Sequence, residues 1–127
     1  MLRLAAGRLE MPIEALLRDC ALFVHGSTYP AHTTFDHPID GQSWMEFIAG
    51  HGYDVYCLDV RGYGKSTRPP QMDQPANQNP PFADTEAAMR DVDAVVEFVK
   101  KRRGIDKVNL LGWSWGTAIM QWNASIN

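Results

Sequence analysis

A serine near the end of the chain stands in a pattern suited to nucleophilic chemistry. Ser114 is the central residue of the pentapeptide 112–116, GWSWG, with an apolar run before it and a helix-forming run after it. Glycines two residues before and after a serine allow a tight strand-to-helix turn, because larger side chains would clash across it. Such a turn strains the serine and lifts its hydroxyl above the sheet, beside a helix N-terminus. The pattern predicts a nucleophile elbow, the alternative being an ordinary glycine-rich turn with a solvent-facing serine.

A second polar motif, residues 25–28 (HGST), directly follows the apolar run 21–24. Acyl transfer needs backbone N–H donors at the oxyanion. In the architecture that a nucleophile elbow implies, one donor comes from the residue after the nucleophile and another from the loop after this strand. We therefore expect Trp115 and Ser27 to supply the donors, with Thr28 as the alternative to Ser27. His25 precedes the turn, so we interpret it as bracing the loop and not as the general base.

A third motif, residues 59–66 (DVRGYGKS), follows the apolar run 53–58. Its end, Gly64-Lys65-Ser66, resembles the end of a phosphate-binding loop, but that motif needs a glycine where Asp59 stands. The motif also leads into a proline-rich segment and not into a helix. The sequence therefore excludes a nucleotide site here and indicates polar bracing of the loop.

The elements that would hold these motifs alternate between strands and helices. Apolar runs at 21–24, 53–58 and 108–111 predict buried strands. A short helix is predicted within 41–50, and a longer one begins at a cap, Asp84, and ends at Gly104. The longer helix carries one apolar stripe, formed by Ala88, Val92, Val95, Val96 and Val99. This alternation predicts an α/β fold with a parallel sheet flanked by helices.

Two segments have no such regularity. Residues 1–20 form an N-terminal segment that the pattern does not place, although 12–20 has a helical character, and the domain proper is assigned to 21–127. The segment 68–82 is rich in Pro, Gln and Asn and lacks apolar periodicity, which predicts a surface loop.

Composition excludes several classes of protein. The 127 residues suffice for one domain, and a net charge of −3 with interspersed signs provides no basic face for nucleic acid. No apolar run approaches the ~20 residues that span a membrane, and the first residues make a poor signal peptide, so we expect a cytoplasmic protein. Cys20 and Cys57 are too few and too far apart for a disulfide framework or a metal cluster, which predicts buried thiols in a reducing compartment.

The three motifs, in this order and spacing, resemble the α/β-hydrolase superfamily over roughly residues 20–125. The resemblance implies that 21–24, 54–58 and 108–111 correspond to the third, fourth and fifth strands of the family's sheet, lying side by side in the order 4-3-5. It implies Ser114 as nucleophile and Ser27 and Trp115 as oxyanion donors, with no metal or organic cofactor. A serine here is similar to the esterase, lipase, peptidase and acyltransferase branches, with Trp115 in substrate binding; Trp113 either joins it or packs under the elbow.

The chain departs from the family pattern after the serine. In this fold an acid and then a histidine follow the nucleophile, yet no Asp, Glu or His follows Ser114. All four histidines precede it, and only His32 and His37 lie where a substitute base could approach. We therefore expect the N-terminal and central part of a serine hydrolase for small ester or acyl substrates, lacking the rest of its triad. The alternative is an inactive fold that serves as a binding or interaction module. Its three-stranded sheet would have two open edges, which favours self-association.

Overall fold

The computed structural model describes residues 2–5 and 19–126 of the chain. Within them the strands are β1 (Leu2–Ala5), β2 (Cys20–Val24), β3 (Asp54–Leu58) and β4 (Asn109–Gly112). The helices are α1 (Ala31–Phe35), α2 (Trp44–Gly50), α3 (Thr85–Arg103) and α4 (Trp115–Ile126). None of these helices is long and apolar enough to cross a membrane.

The central strand of the sheet is β2. It pairs in parallel with β3 on one side and with β4 on the other, so that Leu22 lies opposite both Tyr56 and Leu110. Every residue of β2 is buried, as expected for a strand covered on both faces. The predicted three-stranded parallel core and its 4-3-5 order are therefore confirmed.

A fourth strand, β1, changes one edge of this sheet. It pairs antiparallel with β3, with Leu2 opposite Leu58 and Ala5 opposite Val55. The expectation of two open edges on a three-stranded sheet is therefore wrong on the β3 side. Four residues of alternating character are too short to predict as a strand, which explains why sequence analysis did not place them. The helix expected within 12–20 falls largely outside the described residues, and Cys20 itself belongs to β2.

Each face of the sheet buries its own apolar cluster. The α1–α2 face is filled by side chains from β2, β3 and both helices, including Phe23, Phe35 and Met45. On the other face, α3 and α4 pack over Leu22, Val24 and Tyr56, with Ala88, Val92 and Val99 from α3 and Ile119 and Met120 from α4. Val95 and Val96 pack at the margin of this cluster, so the apolar stripe predicted for α3 does face the sheet.

Side-chain caps begin helices α2 and α3, and a glycine in the left-handed conformation ends α3. The Asp84 carboxylate accepts the Ala87 N–H at 2.8 Å, which caps α3 as predicted. At the other end, Gly104 takes a left-handed conformation with φ of 65°, as the predicted helix stop requires. Helix α2 starts with a capping box, in which Ser43 and Glu46 satisfy each other's backbone N–H.

The loop between β3 and α3 is mostly exposed, as predicted, but it is not featureless. It contains two short 3-10 turns, Pro70–Asp73 and Ala76–Gln78. It also folds back on its own beginning, since a methyl group added to Gly62 would lie 2.7 Å from the Phe82 ring. The loop thus stays beside the C-terminal ends of the parallel strands, where the three motifs converge.

Candidate active site

Ser114 occupies a sharp turn between β4 and α4. Its φ is 54°, in the left-handed region that a residue with a Cβ adopts at a cost in free energy. The turn closes through two hydrogen bonds, from the Gly116 N–H to the Trp113 carbonyl at 2.9 Å and from the Thr117 N–H to the Ser114 carbonyl at 3.0 Å. Ser114 itself is exposed. This is the strained strand-to-helix geometry that the pentapeptide predicts.

The two glycines of the pentapeptide stand where no larger side chain fits. A methyl group on Gly116 would overlap the Val24 carbonyl oxygen of the neighbouring strand. One on Gly112 would lie 2.6 Å from the Met120 side chain and 2.7 Å from the Gly116 carbonyl carbon. The steric reason given for their spacing around Ser114 therefore holds in the structure.

The turn after β2 passes directly against the serine. A methyl group on Gly26 would lie 3.0 Å from the Ser114 Cβ and 3.4 Å from its Oγ. The Trp113 N–H also donates to the Val24 carbonyl at 3.1 Å, which ties the two segments together. The sheet thus brings the ends of β2 and β4, with the motifs found there, to one place.

His25 is fully buried behind this turn, and both its ring nitrogens are engaged. The Val60 N–H donates to Nε2 at 3.0 Å, so Nε2 carries no proton. Nδ1 then carries it and donates to the Gly26 carbonyl at 2.5 Å. Burial lowers the His25 pKa, against the opposing influence of the Gly26 carbonyl and Asp59. A neutral imidazole held at both nitrogens braces the loop, as sequence analysis interpreted it.

Tyr63, which sequence analysis did not single out, joins the two loops. Its hydroxyl donates to the Ser27 carbonyl at 2.6 Å, and its ring lies 4.5 Å from the His25 ring between centroids. The only sequence signal was an aromatic residue between two glycines of the motif 59–66. That signal could not identify Tyr63, because its partner lies 36 residues earlier in the chain.

Asp59 supplies the polar bracing expected of the motif 59–66. It is buried, and its Oδ1 accepts the Ala31 N–H at 2.8 Å while its Oδ2 accepts the Lys65 N–H at 3.1 Å. A methyl group on Gly64 would overlap this carboxylate, and Gly64 has a φ of 49°. One carboxylate thus holds both the loop after β2 and the loop after β3.

The predicted oxyanion donors lie at this convergence. Within residues 2–5 and 19–126, the backbone N–H groups of Ser27, Thr28 and Trp115 donate to no other residue. Trp115 is the first residue of α4, where the helix leaves its N–H groups unbonded. Unbonded N–H groups at Trp115 and in the turn that follows Gly26 are compatible with the assigned roles, which stay predictions.

The two tryptophans of the pentapeptide lie in different surroundings. The Trp115 indole is half-buried, packs against the α3–α4 cluster and donates through Nε1 to the Thr85 Oγ1 at 3.1 Å. Trp113 is 62% exposed, so it does not pack under the elbow. Only the accessible part of the Trp115 ring could therefore provide the substrate contact predicted for it. Trp113 has the larger exposed surface.

No general base contacts the serine among the described residues. His51 Nδ1 lies 2.8 Å from the Phe47 carbonyl, and His32 Nε2 lies 3.3 Å from the Thr33 hydroxyl. Neither they nor His37 form a hydrogen bond with Ser114 within the described ranges. The same part of the chain contains no group of three or more His, Cys, Asp or Glu side chains that could hold a metal ion.

Comparison with known proteins agrees with this geometry. A search of curated proteins found no matching relative. Residues 22–127, most of the chain, match the protein family described as alpha/beta hydrolase fold. The match begins in β2 and includes all three motifs, the pentapeptide 112–116 among them. The chain therefore belongs to the alpha/beta hydrolase fold family.

Proposed function

We propose that Ser114 is the nucleophile of a serine hydrolase acting on small-molecule esters or related acyl compounds. The observation that carries the proposal is the backbone of Ser114, an exposed non-glycine residue at φ of 54° between β4 and α4. Strain of this kind persists where the surrounding fold enforces it and is concentrated at functional sites. The close approach of Gly26 supports the proposal, because it leaves a backbone turn and no side chain beside the hydroxyl.

The chemistry would follow from this arrangement. The Ser114 Oγ attacks the carbonyl carbon, forming a C–O bond while the carbonyl oxygen becomes an oxyanion. The N–H groups of Ser27 and Trp115 and the N-terminal end of the α4 dipole stabilise that charge. The intermediate collapses to an acyl-enzyme as the alcohol leaves with a proton, and water then releases the acid. No metal or organic cofactor enters this scheme.

Removal of the proton from the serine hydroxyl is the most difficult step of this reaction. A serine hydroxyl is a weak nucleophile until a base accepts its proton. His25 cannot be that base, because its Nε2 accepts the Val60 N–H and its Nδ1 donates to Gly26. Among the described residues, the hydrogen bonds of His32 and His51 go to Thr33 and Phe47 and not to Ser114. Where no base accepts that proton, the rate falls by several orders of magnitude, to about 10³–10⁴-fold over water.

The lack of a base in contact with Ser114 among the described residues favours a second candidate function. A fold that keeps the elbow without a base at the serine would act as a binding or interaction module. It would retain the exposed Ser114 and the unbonded N–H groups, which suit a carboxylate or another anion. In that case ligands would bind at the turn after β2 without being cleaved.

Acylation by an activated aryl ester separates the two candidates. The wild-type chain is incubated with p-nitrophenyl acetate and its intact mass is followed, with Ser114→Ala and Ser125→Ala as variants. Ser125 is a matched control, since it is another exposed serine of the same part of the chain. The hydrolase proposal predicts one acetyl group on wild type and Ser125→Ala and none on Ser114→Ala. An unmodified but folded wild-type chain would support the module instead.

We infer that the protein works in the cytoplasm. Cys20 and Cys57 are both buried thiols on neighbouring strands. Burial raises the Cys20 pKa, which keeps that side chain protonated and unreactive. Fractionation of cells that express a tagged chain tests the inference, and recovery with membranes or in the medium would contradict it.

A further inference from the structure

We infer that Tyr63 is a positioning residue, which orients the peptide units of the oxyanion turn through its hydroxyl. The inference rests on the proposed function, because it assigns a role in presenting the predicted donors to the carbonyl oxygen. It starts from one hydrogen bond, in which the Tyr63 hydroxyl donates to the Ser27 carbonyl at 2.6 Å. The two residues belong to loops that follow different strands, β3 and β2.

A bond to a carbonyl fixes a whole peptide unit. Because the peptide is planar and trans, its C=O and its N–H point in opposite directions. The Ser27 carbonyl shares a peptide with the Thr28 N–H, so Tyr63 fixes the direction of that N–H. The preceding Gly26 carbonyl accepts from His25 at 2.5 Å and shares a peptide with the Ser27 N–H. Each carbonyl is thus anchored, and the N–H of each peptide points away from its anchor.

The anchors are themselves held in place. The Tyr63 ring packs on the His25 ring, 4.5 Å away between centroids. Tyr63 donates its N–H to the Val60 carbonyl, and its carbonyl accepts the Ser66 N–H, each at 2.9 Å. The hydroxyl therefore has little freedom to follow a moving Ser27, and it restrains that peptide instead.

The consequence for the site is that the donor direction is set before a substrate arrives. Gly26 lies against Ser114, and the N–H groups in question belong to the two residues that directly follow Gly26 in the chain. Neither N–H donates to another residue in the described part of the chain. Pre-oriented donors that need no rearrangement are the main source of oxyanion stabilisation in such sites. Tyr63 would thus contribute to the reaction without touching the substrate.

The test compares Tyr63→Phe with Tyr29→Phe. The first keeps the ring on His25 and removes only the hydroxyl. The second removes a hydroxyl from the same turn, on a side chain that is 62% exposed and makes no hydrogen bond to a described residue. Backbone ¹⁵N order parameters of Ser27 and Thr28 are measured in both variants and in the wild type. These values do not depend on whether Ser114 reacts.

We expect order parameters of about 0.85 for both amides in the wild type and in Tyr29→Phe, as in rigid backbone. Tyr63→Phe should lower them toward the ~0.6 of flexible segments. Low order parameters for the Ser27 and Thr28 amides in the wild-type chain would by themselves overturn the inference. Equal values in Tyr63→Phe and Tyr29→Phe would overturn it as well.

Phosphonylation kinetics then test the effect on the reaction. A fluorophosphonate forms an O–P bond with Ser114 and releases fluoride, while the hydroxyl proton passes to the solvent, and its P=O oxygen needs the same donors. Misplaced donors should slow the maximal rate of phosphonylation in Tyr63→Phe by about 10- to 100-fold, with the half-saturating probe concentration and the melting temperature unchanged. A loss confined to probe affinity or to melting temperature would mean a merely structural role. A wild-type chain that does not react counts against the proposed function alone, and the order parameters still decide the role of Tyr63.

Discussion

At the scale of single residues, Ser114 has a backbone conformation that the rest of the fold enforces. A non-glycine residue in the left-handed region costs roughly 1–2 kcal/mol, because its Cβ approaches the following carbonyl. Ser114→Gly removes the Cβ and should raise the free energy of unfolding by about 1 kcal/mol. Ser114→Ala keeps the Cβ and serves as the control. Urea unfolding of the two variants measures the difference, and equal stabilities would argue that the turn is unstrained.

His25 makes stability depend on pH. The folded chain holds the imidazole neutral, with its pKa lowered below the ordinary value of 6.5 by burial. Above pH 6.5 the ring is neutral in both the folded and the unfolded chain, so the contribution of His25 to the free energy of unfolding is fully present. Below it the unfolded chain binds a proton that the folded chain does not. The free energy of unfolding should therefore fall by up to about 1.4 kcal/mol per pH unit until the folded pKa is reached.

Urea unfolding across this range checks the pH effect, with His25→Gln compared with His37→Gln. His37 is exposed and controls for the loss of a histidine as such. His25→Gln should be less stable at neutral pH, because the amide does not reproduce both ring bonds, to the Val60 N–H and to the Gly26 carbonyl. Its stability should vary less below pH 6.5. The same slope in wild type and His25→Gln would contradict the assignment.

At the scale of elements, the cap of α3 can be tested alone. The Asp84 carboxylate accepts the Ala87 N–H at 2.8 Å, so Asp84→Ala leaves that donor without a protein acceptor. We expect a loss of about 1 kcal/mol in the free energy of unfolding. Asp84→Asn can still accept the bond and should lose only a few tenths of that value. Chemical unfolding of both variants provides the measurement, and equal losses would show that the cap is not the cause.

The elements that the sequence predicts best are those with local signals. The cap and stop of α3, its apolar stripe and the three parallel strands all follow from residues close together in the chain. The site is different, because its contacts cross long separations. The bond between Tyr63 and Ser27 and the bracing of Ala31 by Asp59 join loops that no local pattern connects. Strand β1 was missed for the opposite reason, since four residues give too short a pattern.

At the scale of the whole molecule, the sheet has β1 and β4 at its edges in the described part of the chain. Among the described residues, strand β4 pairs only with β2. A groove of about 730 Å³ lies beside β4, lined by residues of α3, β4, α4 and the segment that precedes β4. Unpaired strand edges are templates for pairing with another chain. We propose that the β4 edge takes up a second copy of this chain, as the predicted self-association requires.

Hydrogen exchange at increasing protein concentration tests this proposal. The amides of β4 should become more protected as the concentration rises, while the central strand β2 provides an internal control that stays protected throughout. Sedimentation velocity over the same range should show the sedimentation coefficient rising with concentration. Exchange in β4 that is independent of concentration, together with a monomer throughout, would contradict self-association through this edge.

Fluorophosphonate labelling of the purified chain decides whether Ser114 is a reactive nucleophile. Intact mass and peptide mapping locate the adduct, and circular dichroism establishes that wild type and Ser114→Ala are folded. If Ser114 is the nucleophile, we expect one adduct per wild-type chain, on Ser114, and none on Ser114→Ala. A folded wild-type chain that stays unmodified, or an adduct that persists in Ser114→Ala, would contradict it.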